Sequence, residues 1–238
     1  MQAVTFYKGG KAVDRDEMLW LEVHRSRHMM SLLFRKLGTD GMEKLFASEI
    51  EQADQLEQAW SERSGNGFRA SVATARVSIG SGAEFVQWFT AGYMGPNIPA
   101  MLRAHPEHLG ARLCQDGRVG VFEVPGHTEL PAMLYLHRLE TWPTDVPIEL
   151  DPDMPIRMMG RGEAANGRVH GYLLHQFRDT SPGFEAKLAI YWRDGAPDDL
   201  VNGHADHLML EFNNWLQAYV QTRIQPLELM AAMMSVNG

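Results

Sequence analysis

The sequence predicts an α+β fold, an antiparallel sheet covered by one long C-terminal helix, on three grounds. Helical periodicity is concentrated at the two ends of the chain, with only short helical stretches between them. From residue 118 to 193 five strand-like runs follow one another with only turn residues between them. The last periodic stretch, from about Asp198 to Thr222, carries an apolar stripe of Leu208, Phe212, Trp215 and Tyr219 that needs a partner. Strands without intervening helices pair antiparallel, and such a sheet usually buries one face. The terminal helix is its natural cover. That arrangement is a helix-grip architecture, a curved antiparallel sheet wrapped on the helix with a cavity between them.

The elements follow in order. Residues 14–37 open with Asp14, Asp16 and Glu17 and close with Arg35 and Lys36 before Gly38, which are helix start and stop signals. A second helix fits 41–63, with Leu45, Ile50 and Leu56 on a helical period, and S-G-N-G at 64–67 ends it. Residues 1–66 thus read as a helical N-terminal extension, 67–225 as the helix-grip domain and 226–238 as a tail beginning with Pro226. Within the domain, 68–79 reads as a strand and 82–91 as a short helix. M-G-P-N-I-P at 94–99 reads as a loop, and 98–109 as a helical turn ending near H-P-E-H. Strands are expected at 118–124, 132–140, 155–160, 168–178 and 184–193, separated by turns such as P-G at 125–126, N-G at 166–167 and P-G at 182–183.

Composition narrows the partners. A formal net charge of −8 over 238 residues, with no run of Lys or Arg, argues against a nucleic-acid or anionic-membrane surface. The lone cysteine, Cys114, excludes an intrachain disulfide and a Cys-based zinc site. The opening M-Q-A-V-T-F-Y-K-G-G lacks the apolar core of a signal peptide, and no stretch approaches the ~20 apolar residues of a membrane span. The expectation is a soluble cytoplasmic protein whose long N-terminal helices offer packing surfaces for a homodimer.

Polar residues on inward faces mark a candidate site. His204, His207 and Glu211 border the apolar stripe of the terminal helix, with His207 and Glu211 four apart on one side of it. A carboxylate there is costly unless a cation or hydrogen-bond donors meet it, and H-x-x-x-E suits two ligands on one metal. The alternative is a His–Glu pair on a solvated flank. In R-V-G-V-F-E-V, Glu123 shares a strand face with Val119 and Val121. In H-G-Y-L-L-H-Q-F, His175 shares a face with Leu173 and Phe177, and His170 lies on the opposite face. A-H-P-E-H at 104–108 offers His105 and His108, either of which completes a His2Glu2 set with Glu123, His207 and Glu211. Imidazole nitrogens and carboxylate oxygens suit zinc, and two carboxylates balance a divalent charge.

Read together, five segments resemble the diacetylphloroglucinol hydrolases and the related phloretin hydrolase. They are E-F-V-Q-W-F-T-A at 84–91, A-H-P-E-H-L at 104–109, G-R-V-G-V-F-E-V-P-G at 117–126, G-R-V-H-G-Y-L-L-H-Q-F-R-D-T-S-P-G-F-E at 167–185 leading into Y-W-R-D-G at 191–195, and H-L-M-L-E-F-N-N-W-L at 207–216. The resemblance implies a START-like helix-grip fold and a Zn2+-dependent enzyme that cleaves the carbon–carbon bond between a phenolic ring and an acyl group. It places the metal ligands on His108, Glu123, His207 and Glu211, with His105 a rival to His108. The implied chemistry adds hydroxide to the acyl carbon and delivers a proton to the departing ring carbon. His175 is the candidate for that proton transfer or for orienting the ring, and Trp88, Tyr93 and Met94 for lining an apolar pocket. The substrate would be a small aromatic ketone or a polyketide-like relative. The chain departs from the family in a shorter stretch between His108 and Glu123, and in A-K-L-A-I-Y-W where the family carries Arg-Ser-Arg. A non-enzymatic helix-grip carrier of an aromatic ligand is the competing expectation, and it holds no tight metal.

Overall fold

Asp14 starts the first long helix by accepting a hydrogen bond from the Glu17 N–H at 2.7 Å, with Asp16 and Glu17 in the first turn facing the positive end of the helix dipole. The computed structural model describes residues 4–92 and 102–236, with side chains to 225. A small hairpin, β1 (Phe6–Lys8) and β2 (Lys11–Val13), precedes α1 (Arg15–Leu45) and α2 (Ala47–Arg63). Then come β3 (Phe68–Val77), α3 (Gly82–Gly92), β4 (His108–Leu113), β5 (Val119–Glu123), β6 (Ala132–Arg138), β7 (Ile156–Glu163), β8 (Val169–Asp179), β9 (Phe184–Arg193) and the terminal helix α4 (Asp198–Val236). β3 to β9 form one seven-stranded sheet in the order β3-β9-β8-β7-β6-β5-β4, with every pairing antiparallel.

The sheet lies between two helical layers. On its inner face sits the apolar stripe read from the sequence: Leu208, Phe212 and Tyr219 are at most 2% exposed and pack with Phe85, Phe177 and Phe184. On the outer face α1 and α2 cover β4 and β5, where Met42, Leu109 and Phe122 form a separate buried cluster. The N-terminal helices therefore supply the second cover for that end of the sheet. Among the described residues, no helix is long and apolar enough to cross a membrane.

Four boundaries differ from the sequence reading. The stop read at Gly38 is a kink: Gly38 takes φ 63 and the helix resumes to Leu45. The second predicted helix is therefore divided, with α2 starting after Phe46. The helical turn expected over 98–109 is seen at 102–104, and the chain enters β4 at His108. H-L-G-A-R-L has little intrinsic strand preference, so pairing with β5 decides its conformation. The terminal helix runs past Pro226 to Val236, since a proline removes one donor and kinks a helix without having to end it.

Phe85 tests the inner core. Its ring is fully buried and meets those of Phe177, Phe184 and Tyr219, so it ties α3 to both the sheet and α4. Phe85→Ala is expected to destabilise the fold by about 3–5 kcal/mol, read from the urea midpoint at unchanged slope.

Candidate metal centre

Two adjacent strands and one helix build the site. β4 and β5 pair with His108 opposite Glu123, and a register shift follows between His108 and Gly110. On β5, Val121 and Glu123 share the inward face, and both are buried. The turn after β5 then seats the start of α4, where the His127 N–H donates to the Asp199 carbonyl at 3.1 Å. Two glycines permit that close approach. A Cβ on Gly126, which has φ +64, would lie 2.6 Å from the Leu200 carbonyl oxygen, and one on Gly203 would lie 2.1 Å from the His127 nitrogen. One and two turns further along α4 come His207 and Glu211, the first 3.7 Å from Glu123 Oε2 and the second against His108.

Three of the four predicted ligands, His108, Glu123 and His207, cluster with their ligand atoms within 4.8 Å of one another, and Glu211 reaches that group through His108. His108 Nε2 lies 3.2 Å from His207 Nε2, 3.4 Å from Glu123 Oε2 and 3.5 Å from Glu211 Oε2. His207 Nε2 lies 3.7 Å from the same Glu123 oxygen. Ligand atoms bound tetrahedrally to one ion at about 2.0–2.1 Å stand roughly 3.3 Å apart, so His108, Glu123 and His207 fit zinc in both spacing and chemistry, with Glu211 held against His108. The electrostatics point the same way. Burial alone would lower the His108 pKa, but Glu123 and Glu211 outweigh it and push it up to about 10. Burial works to raise Glu123, yet the positive charge available on His207 and His108 holds its carboxyl well below the usual range. Burial pushes Glu211 up to about 7, with His108 opposing the rise. Two buried carboxylates thus call for positive charge between them, and without an ion it comes mainly from His108, because burial pushes His207 down to about 4.

The geometry separates His105 from His108. His105 Nδ1 accepts the Glu107 backbone N–H at 3.2 Å, and burial drives its pKa down to about 3. That nitrogen's lone pair is already engaged. The His105 ring stacks on His207 at 3.8 Å and 15°, and one ion cannot lie in the plane of two rings so stacked. His105, Glu107 and His207 therefore form a poorer ligand group than His108, Glu123 and His207, although both are clustered. Glu107 Oε2 lies 3.9 Å from His207 Nδ1, on the ring edge away from the cluster.

A cavity of about 220 Å³ opens beside the cluster, between the sheet, α3 and α4. Glu123, Glu211, His175 and His204 form part of its wall, and Val121, Leu136, Met158 and Phe212 are among its apolar residues. His175 Nδ1 accepts the Ala189 N–H at 3.1 Å, which leaves the proton on Nε2. Burial pushes its pKa down to about 3, so it is a neutral donor at physiological pH. Trp88 does not line this cavity. Val86, Phe89 and Thr90 do, whereas the Trp88 ring turns to Phe85 and Tyr219, because position 88 falls on the side of α3 that meets the far part of α4. Tyr93 and Met94 lie outside the described residues. His204, marked in the sequence but given no role there, is buried on the cavity wall.

No family model matches the chain, and no curated protein matches it.

His175 sets a pH dependence. It stays neutral in the fold down to about pH 3, whereas an ordinary histidine in the unfolded chain takes its proton near 6.5. Its contribution is intact above pH 6.5 and is lost as pH falls toward 3. Between pH 7.5 and 5, wild type is expected to lose on the order of 2 kcal/mol more stability than His175→Gln, whose amide oxygen can still accept from Ala189. Urea titrations of both proteins at the two pH values measure the difference.

Proposed function

We propose that the chain is a zinc-dependent hydrolase that cleaves a carbon–carbon bond in an acylated phenol or related aromatic ketone. The reading extends to a START-like helix-grip fold and to the diacetylphloroglucinol and phloretin hydrolases that the sequence resembles. One observation carries it: His108, Glu123 and His207 meet with ligand-like spacing, with Glu211 against His108, where a largely apolar cavity begins. A bound zinc ion would supply Lewis-acid polarisation of a ketone oxygen and an acidified water.

The chain's own residues account for the rest. The two carboxylates balance a divalent charge, so that the site can be dry. The apolar walls hold a ring and keep bulk water away from it. His175, neutral and fixed as the Nε2–H tautomer, suits donation of a hydrogen bond to a substrate oxygen better than release of a proton.

Metal analysis after expression in zinc-supplemented medium tests the reading. Wild type is expected to hold one zinc per chain, and His207→Ala and Glu211→Ala less than a tenth of that. A metal-free wild type with the same fold would leave the carrier reading in place. With zinc bound, acetate release from acylphloroglucinols is expected, falling at least a hundredfold (about 2.7 kcal/mol of barrier) in Glu123→Gln.

The same proposal includes a homodimer through α1. Leu19, Val23, Leu33 and Leu37 lie at heptad-like spacing along it and are 37–52% exposed. A stripe of this kind on a long helix is a candidate packing surface. Sedimentation is expected to give a dimer for wild type and a monomer for the Val23→Glu/Leu33→Glu double variant.

A further inference from the structure

A histidine that gives Nε2 to a metal ion carries its proton on Nδ1, and a buried N–H needs an acceptor. In His207, Nε2 faces His108 and Glu123, while Nδ1 is buried and makes no hydrogen bond among the described residues. Glu107 Oε2 lies 3.9 Å from that nitrogen, about 1 Å beyond hydrogen-bond length. The same oxygen is 3.7 Å from His105 Nδ1, but that nitrogen accepts the Glu107 backbone N–H and has no proton to give. The Glu107 backbone is held on both sides, since its carbonyl accepts the Val124 N–H at 3.2 Å, next to Glu123. Its side chain is 45% exposed and makes no hydrogen bond among the described residues, so rotation about its own bonds closes the gap to His207.

We propose that Glu107 is a positioning residue whose carboxylate accepts the His207 Nδ1–H and so aims Nε2 at the metal. The assignment rests on the metal-dependent reading above and deepens it at the same site. Successive residues of the chain bracket one imidazole: His108 Nε2 lies 3.2 Å from its Nε2 edge and Glu107 Oε2 lies 3.9 Å from its Nδ1 edge. His105 restrains the same ring in a different sense. Stacked on it at 3.8 Å and 15°, His105 sets the plane of the imidazole, whereas a carboxylate at the edge fixes its rotation within that plane. A negative charge there also makes the metal-facing nitrogen a better donor. Because Glu107 is half-exposed, this third carboxylate stays solvated and adds no buried charge to the site.

The test measures zinc affinity, by competition with a chromophoric chelator, for wild type, Glu107→Ala and Glu107→Gln. Proton–nitrogen NMR of zinc-loaded protein carrying isotope-labelled histidine follows the His207 ring N–H. Ala removes the carboxylate and keeps both backbone bonds, whereas Gln keeps an acceptor oxygen at the same reach. The zinc dissociation constant is expected to rise about ten- to a hundredfold in Glu107→Ala and to return in good part in Glu107→Gln. The His207 Nδ1–H is expected to exchange slowly with solvent in wild type and in Glu107→Gln, and about tenfold faster in Glu107→Ala. The thermal midpoint of the zinc-free protein is expected to stay near wild type in both variants. Unchanged affinity and unchanged exchange in Glu107→Ala overturn the assignment alone. Weaker zinc binding in Glu107→Ala with unchanged exchange, or with no recovery in Glu107→Gln, makes the carboxylate a source of charge without a hydrogen bond and also overturns it. A wild type that takes up no zinc overturns the metal reading and this assignment together.

Discussion

Glu123 and Glu211 are buried within reach of the same imidazole, and that juxtaposition shapes the rest of the site. Either carboxylate alone at such depth could protonate and be satisfied by one donor. Two of them, both held against His108, need positive charge located between them. The inward face of β5, the bulge beside His108 and the close seat of α4 on the turn after β5 all serve to hold the four groups at that separation. The surrounding histidines answer the same constraint differently. His105, His175 and His204 are kept neutral by burial, so they add polarity to the site without adding charge.

The cavity inherits its character from this arrangement. Glu123 and Glu211 mark one part of its wall, His137, Arg138 and Arg157 of β6 and β7 add further polar groups, and Leu134, Leu136, Met158, Phe89 and Phe212 present hydrocarbon. Electrostatic interactions are strong in such surroundings, and a polar atom of a ligand finds few partners there. Position along the cavity therefore matters as much as chemical type. His204 and His175 stand at distinct places on its wall, His175 fixed by a backbone hydrogen bond and His204 set edge-on to Trp192.

Much of the frame was legible because periodicity reports burial. The stripe from Leu208 to Tyr219, the alternation in β5 and the turn signals between strands each have a direct physical cause. Glu123, His207 and Glu211 stood out as polar atoms on apolar faces, and the structure brings them together. The choice between His105 and His108 was not legible, because it depends on where the chain changes from turn to strand. H-L-G-A-R-L carries no strong preference of its own, so β5 makes that decision. Trp88 shows the same limit. Its place on α3 could be read from the sequence, but which side of α3 faces the cavity follows from how α3 docks. His204 differed only in degree: the sequence showed an odd residue, and the stacking that gives it meaning needed coordinates.

β4 is the last strand of the sheet, and it meets α4 through His108 and His207, 99 positions apart. During synthesis the strands that carry His108 and Glu123 leave the ribosome long before the helix that completes the ligand set. A nascent chain thus presents only half of the cluster. An ion bound there, as proposed, would be taken up by the finished polypeptide and not by the chain as it emerges.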